Sequence, residues 1–465
     1  MTEAALGGLS LDDAEHEIYA SIVARSPEHD FEPTLDRVAE ACALLGDPQR
    51  AYRVIHITGT NGKTSTARMT EALVREYGLR TGLFTSPHLS SVRERIQIDG
   101  KPISQAAFVA LWLDVAPIIN LVDEHSRAAG GPRLSFFEVF TVLAFAAFAD
   151  APVDVAIIEV GMGGGWDSTN VADGDVAVIA PVAMDHAKWL GDTIADIAAE
   201  KAGIIKDGAV VVVAEQTEPA LQAIAAAADE RGATVEWEGE QIEVVERQPG
   251  VGGQLLTLRT PAATYAEIFL PLYGEHQAHN ALLALAAVEA LLADGGAPRS
   301  LEGELVEAAF GNVTSPGRLE AVRTSPLILV DAAHNPHGID ALVAALGEGF
   351  SFSSLVGIVG ILNDKDADGI LGGLEPVLDH VVITEVGSPR TLSAEDLARI
   401  ARGIFGEDRV TIEAKLPNAI DAATGIAERE TDLGAGVIIV GSVLLVAEAR
   451  TLLEADRPKG IGHIR

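Results

Sequence analysis

Lys63 follows a glycine in the stretch VIHITGTNGKTSTARM, residues 54–69, where four β-compatible residues run into a Gly/Thr/Asn turn and a helical run begins. Gly59 and Gly62 let such a turn aim its backbone N–H groups inward. The helix that starts there adds the positive end of its dipole, and Lys63 adds a point charge. Together, the residues Gly59, Thr60, Asn61, Gly62, Lys63, Thr64 and Ser65 make a cradle for phosphates, with the Thr64 hydroxyl facing a phosphate or a magnesium ion. The first glycine of G-T-N-G-K-T stands two residues closer to the lysine than in the usual phosphate loop, so this is a variant of that loop. A glycine turn before a helix is often only a turn; the Lys-Thr pair after a β-run favours a nucleotide.

Other chemistry-bearing residues fall at strand ends. AIIEVGMGGGWDSTN puts Glu159 at the carboxyl end of an apolar run, the edge of an open α/β sheet where ligands bind. A carboxylate there can hold Mg²⁺ between ATP oxygens, although a loop acid or a helix cap would read the same way. Asp167, before Ser-Thr-Asn, reads first as a turn builder. FTSPHLSSVRERI gives Ser86 and His88, and VAMDHAKWLGDTIADIAAEKAGIIK gives Asp185, His186 and Lys201. Taken singly, each of these is as well explained by hydrogen bonding or solvation as by ligation.

These residues need a scaffold, and the sequence describes one. At 465 residues, 48% hydrophobic and 5% aromatic, the chain has length for two or three domains and suits an α/β protein with helices packed on a parallel sheet. RVIHITG, RTGLFTS, VDVAIIEVG, DVAVIA and AVVVVAE are short Val/Ile-rich runs separated by helical spacing. ERIQIDGKPIS reads as a hairpin, and TVEWEGEQIEVVE with GQLLTLRT as antiparallel additions. The Gly/Ser/Pro cluster GNVTSPGRLE reads as a linker. Beyond it LILVDA, SLVGIVGI, HVVITEV and GVIIVGS restart the alternation, giving domains at 1–314 and 315–465.

The formal net charge of −35 repels nucleic acid and anionic membranes, so an anionic ligand needs a local basic or amide-lined pocket. Cys42, the one cysteine, forms no internal disulfide and fits a reducing cytosol or simple core packing. The acidic start MTEAALGGLSLDDAEHE lacks the pattern of a secretory signal, and the apolar run VFTVLAFAAFA is far shorter than the roughly 20 residues that span a bilayer. A cytoplasmic protein without nucleic-acid or membrane partners is expected.

In order along the chain, ITGTNGKTS, LFTSPHL, FFEVFT, IIEVGMGG with DSTN, DH, EKAGIIK, GEHQAHNA, PGRLE, DAAHNP, NDKDADG and GS resemble the folylpolyglutamate synthase and dihydrofolate synthase family of the Mur ligase superfamily. The likeness runs from PTLDRV to VGSVLLVAEAR. It implies an N-terminal phosphate-loop ATPase domain with a mainly parallel sheet and a smaller C-terminal Rossmann-like α/β domain that serves glutamate ligation. It further implies that residues 59–65 with Lys63 hold the ATP phosphates and that Ser86, Glu159 and His186 are Mg²⁺ ligands. Lys201 matches a lysine carried as a carbamate that holds a second metal, and a monovalent cation completes the cofactor set. Asn280 would lie near the adenine, Arg318 would reach the phosphates, and Asp331 and His334 the ribose and phosphate region. His88, Phe136 and Phe137 would lie toward the pterin, the two phenylalanines serving equally as core. Lys365 and Ser442 would hold the glutamate α-carboxylate, or be a solvated lysine and a helix cap. One departure stands out: where the family has an arginine after the glycines that follow EVGM, this chain reads Gly163, Gly164, Gly165, Trp166.

The implied reaction is ATP-driven amide ligation. A folate-type carboxylate attacks the γ-phosphate to give an acyl phosphate, which the glutamate amine captures, with Lys63, His186, Lys201 and Arg318 as the catalytic residues and domain closure completing the site. The substrates would be ATP, L-glutamate and dihydropteroate or folates, handled by a monomer. Two rivals remain at this stage. A cell-wall Mur ligase carries a further domain before its phosphate loop, and only about 50 residues precede this one. A nucleotide-dependent switch protein explains the loop but leaves EKAGIIK and His186 without a role.

Overall fold

The structure, a computed structural model, describes residues 9–26, 32–429 and 434–455; the first eight residues of the acidic N-terminal stretch lie outside the described residues. It divides into two units. One comprises Met1–Gln248, Leu255–Pro271 and Gln277–Val313, the other Pro249–Gln254, Leu272–His276 and Thr314–Arg465.

The Val/Ile runs of the first unit become an eight-stranded sheet built from β1 (Arg53–Thr58), β2 (Thr81–Phe84), β3 (Ile96–Ile98), β4 (Lys101–Pro102), β5 (Val155–Glu159), β6 (Val176–Ile179), β7 (Val210–Val213) and β8 (Thr234–Trp237). Their order is β4-β3-β2-β5-β1-β6-β7-β8. β1 lies between β5 and β6, parallel to both, with Ile57 opposite Glu159. β2 is parallel to β5, so the loops after β1, β2, β5 and β6 leave one edge together. These strands are buried on both faces, which is why they read as unbroken apolar runs rather than as alternation. One face carries a core around Phe108, Phe137, Phe140, Phe145 and Phe148, the other a core around Ile179, Ile197, Ile204 and Ile224. The hairpin in ERIQIDGKPIS forms as expected, β3 and β4 pairing antiparallel.

TVEW departs from its expected antiparallel pairing: β8 joins β7 in parallel, because the helix Glu218–Glu230 crosses over between them and reverses the chain before it returns. A separate three-stranded sheet follows in the order β11-β10-β9, from β9 (Glu243–Gly250), β10 (Gly253–Arg259) and β11 (Thr264–Leu270). The helix Gln105–Ala128 is long and apolar enough, by length and composition alone, to cross a membrane, a feature the short run at Val139 did not signal. It contains Pro117 and buries Phe108, Val115, Ile119 and Val122 against the phenylalanine core.

The second unit holds a six-stranded sheet in the order β12-β13-β17-β14-β15-β16: β12 (Glu320–Thr324), β13 (Leu327–Val330), β14 (Ser354–Val359), β15 (His380–Ile383), β16 (Val410–Ile412) and β17 (Ala435–Val440). β12 is antiparallel to β13 and the remaining pairs are parallel. Its core gathers Leu329, Leu342, Ile370, Ile383 and Ile438.

Candidate active site

The loop after β1 enters the helix Lys63–Glu76 through Gly62, whose φ of 89° is left-handed. A Cβ at Gly62 would fall 2.5 Å from Asn280 Oδ1, and one at Gly59 (φ 147°) would fall 2.7 Å from the Ala180 side chain. Both glycines are therefore required by close approach as well as by backbone angle. Lys63 folds over this loop, its Nζ donating to the carbonyls of Gly59 at 3.0 Å and Thr60 at 3.2 Å. Thr60 ties the loop to the segment after β6, through its N–H to Pro181 and its hydroxyl to the Ala183 carbonyl at 3.0 Å. Asn61 is half-buried and Ser65 buried in the first helical turn.

Thr64 donates its hydroxyl to Glu159 Oε1 at 2.7 Å, and the Ser86 N–H donates to Glu159 Oε2 at 3.2 Å. Glu159 is 1% exposed, so its carboxylate stands where the ends of β1, β2 and β5 meet. From the other side the helix Ile194–Ala202 sends in Lys201, 4% exposed, whose Nζ donates to the Gly59 carbonyl at 2.9 Å. Burial first, and then the neighbouring charge of Lys63, push the Lys201 ammonium down to about 7. Two lysines thus converge on one carbonyl of the phosphate loop.

Other expected residues sit apart from this pair of contacts or brace it. His186 is in the left-handed region at the end of the loop after β6, its N–H donating to Asp185 Oδ1 at 2.8 Å. Asn280 is 3% exposed and is bound to Gln277 at 3.1 Å and to the Thr66 hydroxyl at 3.3 Å, so its side chain presses on the loop glycine. His88 Nδ1 accepts from Arg95 Nε at 3.0 Å; burial, then the Arg95 charge, push the His88 imidazole down to about 3. Phe136 and Phe137 are buried in the phenylalanine core, Phe137 against Gly161, where an added Cβ would be 2.5 Å from its ring. Among the described residues no three His, Cys, Asp or Glu side chains gather as a metal cluster. The donors beside the loop are instead one carboxylate and hydroxyls, the hard oxygen set that Mg²⁺ takes together with phosphate oxygens and water.

In the second unit, Asp331 follows β13, its carboxylate accepting from Leu319 N and Ala333 N, both at 2.8 Å. Burial raises its carboxyl while the charge of half-buried Arg318 opposes the shift. His334 donates through Nδ1 to the Ala332 carbonyl at 2.8 Å. Ser442 follows β17 and is 2% exposed, with Gly441 N–H bound to Ala333 carbonyl at 3.1 Å. Lys365 is half-buried in the turn after β14. Since β13, β17 and β14 are adjacent and parallel, these residues share one edge of their sheet.

Arg95, which the sequence did not single out, and Asp167 complete the neighbourhood. Arg95, 2% exposed, spreads over the Phe136 ring at 4.9 Å while it holds His88. Asp167 does build a turn, but as a fully enclosed hub: its carboxylate accepts from Met162 N at 2.9 Å, Thr169 N at 3.0 Å and the Thr169 hydroxyl. Burial pushes its carboxyl up to about 6. The Asp167 contacts are local, within five residues, whereas the seat of Arg95 on Phe136 joins segments distant in the chain and no spacing rule flags it.

The chain matches the Mur ligase middle domain over residues 128–288 and the Mur ligase glutamate ligase domain over residues 317–443. It is 50% identical over 450 residues to the dihydrofolate synthase/folylpolyglutamate synthase of Mycobacterium tuberculosis, covering 93% of this chain and 92% of that one. The chain belongs to the dihydrofolate synthase/folylpolyglutamate synthase family of Mur ligases. It is accordingly a ligase that uses ATP to form a carbon–nitrogen bond, which sets aside the switch reading. Solved structures agree in fold. The M. tuberculosis folylpolyglutamate synthase complexed with ADP and AMPPCP has a TM-score of 0.90 at 48% identity, over 97% of this chain and 100% of that one. Escherichia coli FolC in complex with DHPP and ADP has a TM-score of 0.79 at 28% identity, over 92% and 94%.

Proposed function

We propose that this ligase performs both reactions of its family on one chain, joining L-glutamate to dihydropteroate and to the γ-carboxylate of reduced folates. The observation that carries its ATP-dependent step is the meeting of Thr64 with Glu159 at 2.7 Å beside two lysines on the Gly59 carbonyl, at the carboxyl edge of the sheet. Its name-bearing support is the M. tuberculosis relative, which is called by both activities.

In the reaction, a carboxylate oxygen of the pterin substrate attacks the γ-phosphorus of ATP, the β–γ bridge bond breaks and ADP leaves, giving an acyl phosphate. The glutamate amine then attacks the acyl carbon, the C–O bond to phosphate breaks, and the amine proton is lost as the amide forms. Negative charge accumulates when a carboxylate meets a triphosphate, so cationic groups must be in place beforehand. Lys63 exchanges its two loop carbonyls for phosphate oxygens, and the amides of residues 59–65 bind the remaining ones. Glu159, Thr64, Ser86 and His186 would hold Mg²⁺, which when bound would supply charge neutralisation on the phosphates. Lys201, its ammonium pushed down to about 7 by burial, has a partly deprotonated amine that would add to carbon dioxide and release a proton to give a carbamate. Asn280, Arg318, Asp331 and His334 serve the nucleotide, His88, Phe136 and Phe137 the pterin side, and Lys365 and Ser442 the glutamate. A monovalent cation accompanies the metal.

We assign ATP binding to residues 1–314 and the glutamate-ligase role to residues 315–465, in a cytoplasmic monomer without nucleic-acid or membrane partners. The test is ADP formation by the purified chain with ATP, Mg²⁺ and glutamate, and with dihydropteroate or tetrahydrofolate in turn. ADP that appears only with glutamate and with either acceptor is the expected result. Turnover with one acceptor alone removes the dual assignment, and ADP formed without glutamate removes the ligase assignment of this site.

A further inference from the structure

The glycine run after β5 has no part in holding phosphate in the scheme above, yet it is packed more tightly than any turn requires. The last turn of the helix Ile194–Ala202 lies on it backbone to backbone. The Gly165 N–H donates to the Glu200 carbonyl at 2.9 Å. A Cβ on Gly164 would fall 2.6 Å from the Lys201 carbonyl oxygen, and one on Gly203 would fall 2.5 Å from the Gly165 Cα. Only residues without a Cβ allow that approach. The Glu200 side chain then turns back over the run. The Trp166 N–H donates to its Oε1 at 3.1 Å, and both carboxylate oxygens lie against Gly165.

Lys201 is the next residue, and it leaves the helix in another direction, to the Gly59 carbonyl at 2.9 Å. The place of its amine against the phosphate loop therefore depends on how the helix turn is seated on residues 164–166. We propose that Glu200 is a positioning residue for ligation, its carboxylate holding the Trp166 N–H and lying against Gly165 so that Lys201 is set against the loop after β1. This rests on the ligase reading of the site. It also gives Gly165 a reason: a Cβ there would meet Glu200 Oε1 at 3.2 Å, so a larger residue crowds the carboxylate that the Trp166 amide now holds.

Two variants of the full chain separate positioning from bulk stability. Glu200→Asp keeps the charge but withdraws the carboxylate by one methylene, and Glu200→Gln keeps the length and one acceptor oxygen. Each is assayed for ligation and, in buffer depleted of carbon dioxide so that the amine is free, for acetic-anhydride labelling of Lys201, read by mass spectrometry against exposed Lys101 as internal standard. The Asp variant is expected to lose about tenfold or more in kcat with the ATP KM within about threefold, and to label several-fold faster at Lys201. The Gln variant is expected to stay within about threefold of the parent in both readouts. Wild-type kcat in the Asp variant, a lower kcat with unchanged Lys201 labelling, or a Gln variant as impaired as the Asp variant would overturn the proposal. Failure of the parent to form ADP in response to glutamate strikes the ligase reading instead, because the labelling ratio reports the setting of Lys201 without turnover.

Discussion

At Gly62 two demands coincide: a left-handed backbone and the absence of a side chain facing Asn280. Gly62→Ala places a methyl within 2.5 Å of Asn280 Oδ1 and adds roughly 1–2 kcal/mol of backbone strain, which the loop relieves by moving. On the proposed role of that loop's amides as phosphate donors, the expected outcome is an ATP KM raised by about tenfold with a smaller change in kcat. An unchanged ATP KM in this variant would show that the loop tolerates the methyl and that Asn280 does not brace it.

Within β1, His56 is fully buried and tied to the loop that follows β5. The Thr169 hydroxyl donates to Asp167, so it accepts from His56, whose Nε2 lies 2.9 Å away and must carry the proton. Burial first, then the charge of Lys206, push the His56 imidazole down to about 3 from 6.5. Between those values the unfolded chain holds the extra proton, so this group's contribution to stability is complete above pH 6.5 and declines as the pH falls toward 3. His56→Leu removes the titrating group while Thr169 still serves Asp167. On going from pH 7 to pH 5 the parent should lose about 2 kcal/mol more than the variant, measured by denaturant unfolding at both pH values. Equal losses would mean that His56 protonates as readily in the folded protein as in the unfolded one.

As a whole, the molecule carries a formal net charge of −35 while keeping its lysines at the phosphate loop buried or folded in. Like-charged copies repel, so static light scattering at about 0.1 M salt should give the mass of a single 465-residue chain at all micromolar concentrations. A mass that doubles with concentration would contradict a monomer. The same charge means that triphosphate is admitted only where local amides and lysines outweigh the surrounding field.

The sequence by itself determined the sheet of each unit, because strands buried on both faces need unbroken Val/Ile runs, and RVIHITG, VDVAIIEVG and DVAVIA show them. It also determined the turn after β1, since Gly59, Gly62 and Lys63 announce a turn, a helix start and a charge within five residues, and the helix does begin at Lys63. The pairing of β8 was misread because a short strand carries no mark of its direction; the crossover helix before it sets that. Only the tertiary structure decided that Glu159 meets Thr64 across 95 positions, that Lys201 reaches Gly59 across 142, and that the Glu200 carboxylate meets the Trp166 amide across 34. Those contacts arise from the order in which parallel strands lie side by side, and that order is fixed by the packing of helices on the sheet, not by any local spacing along the chain.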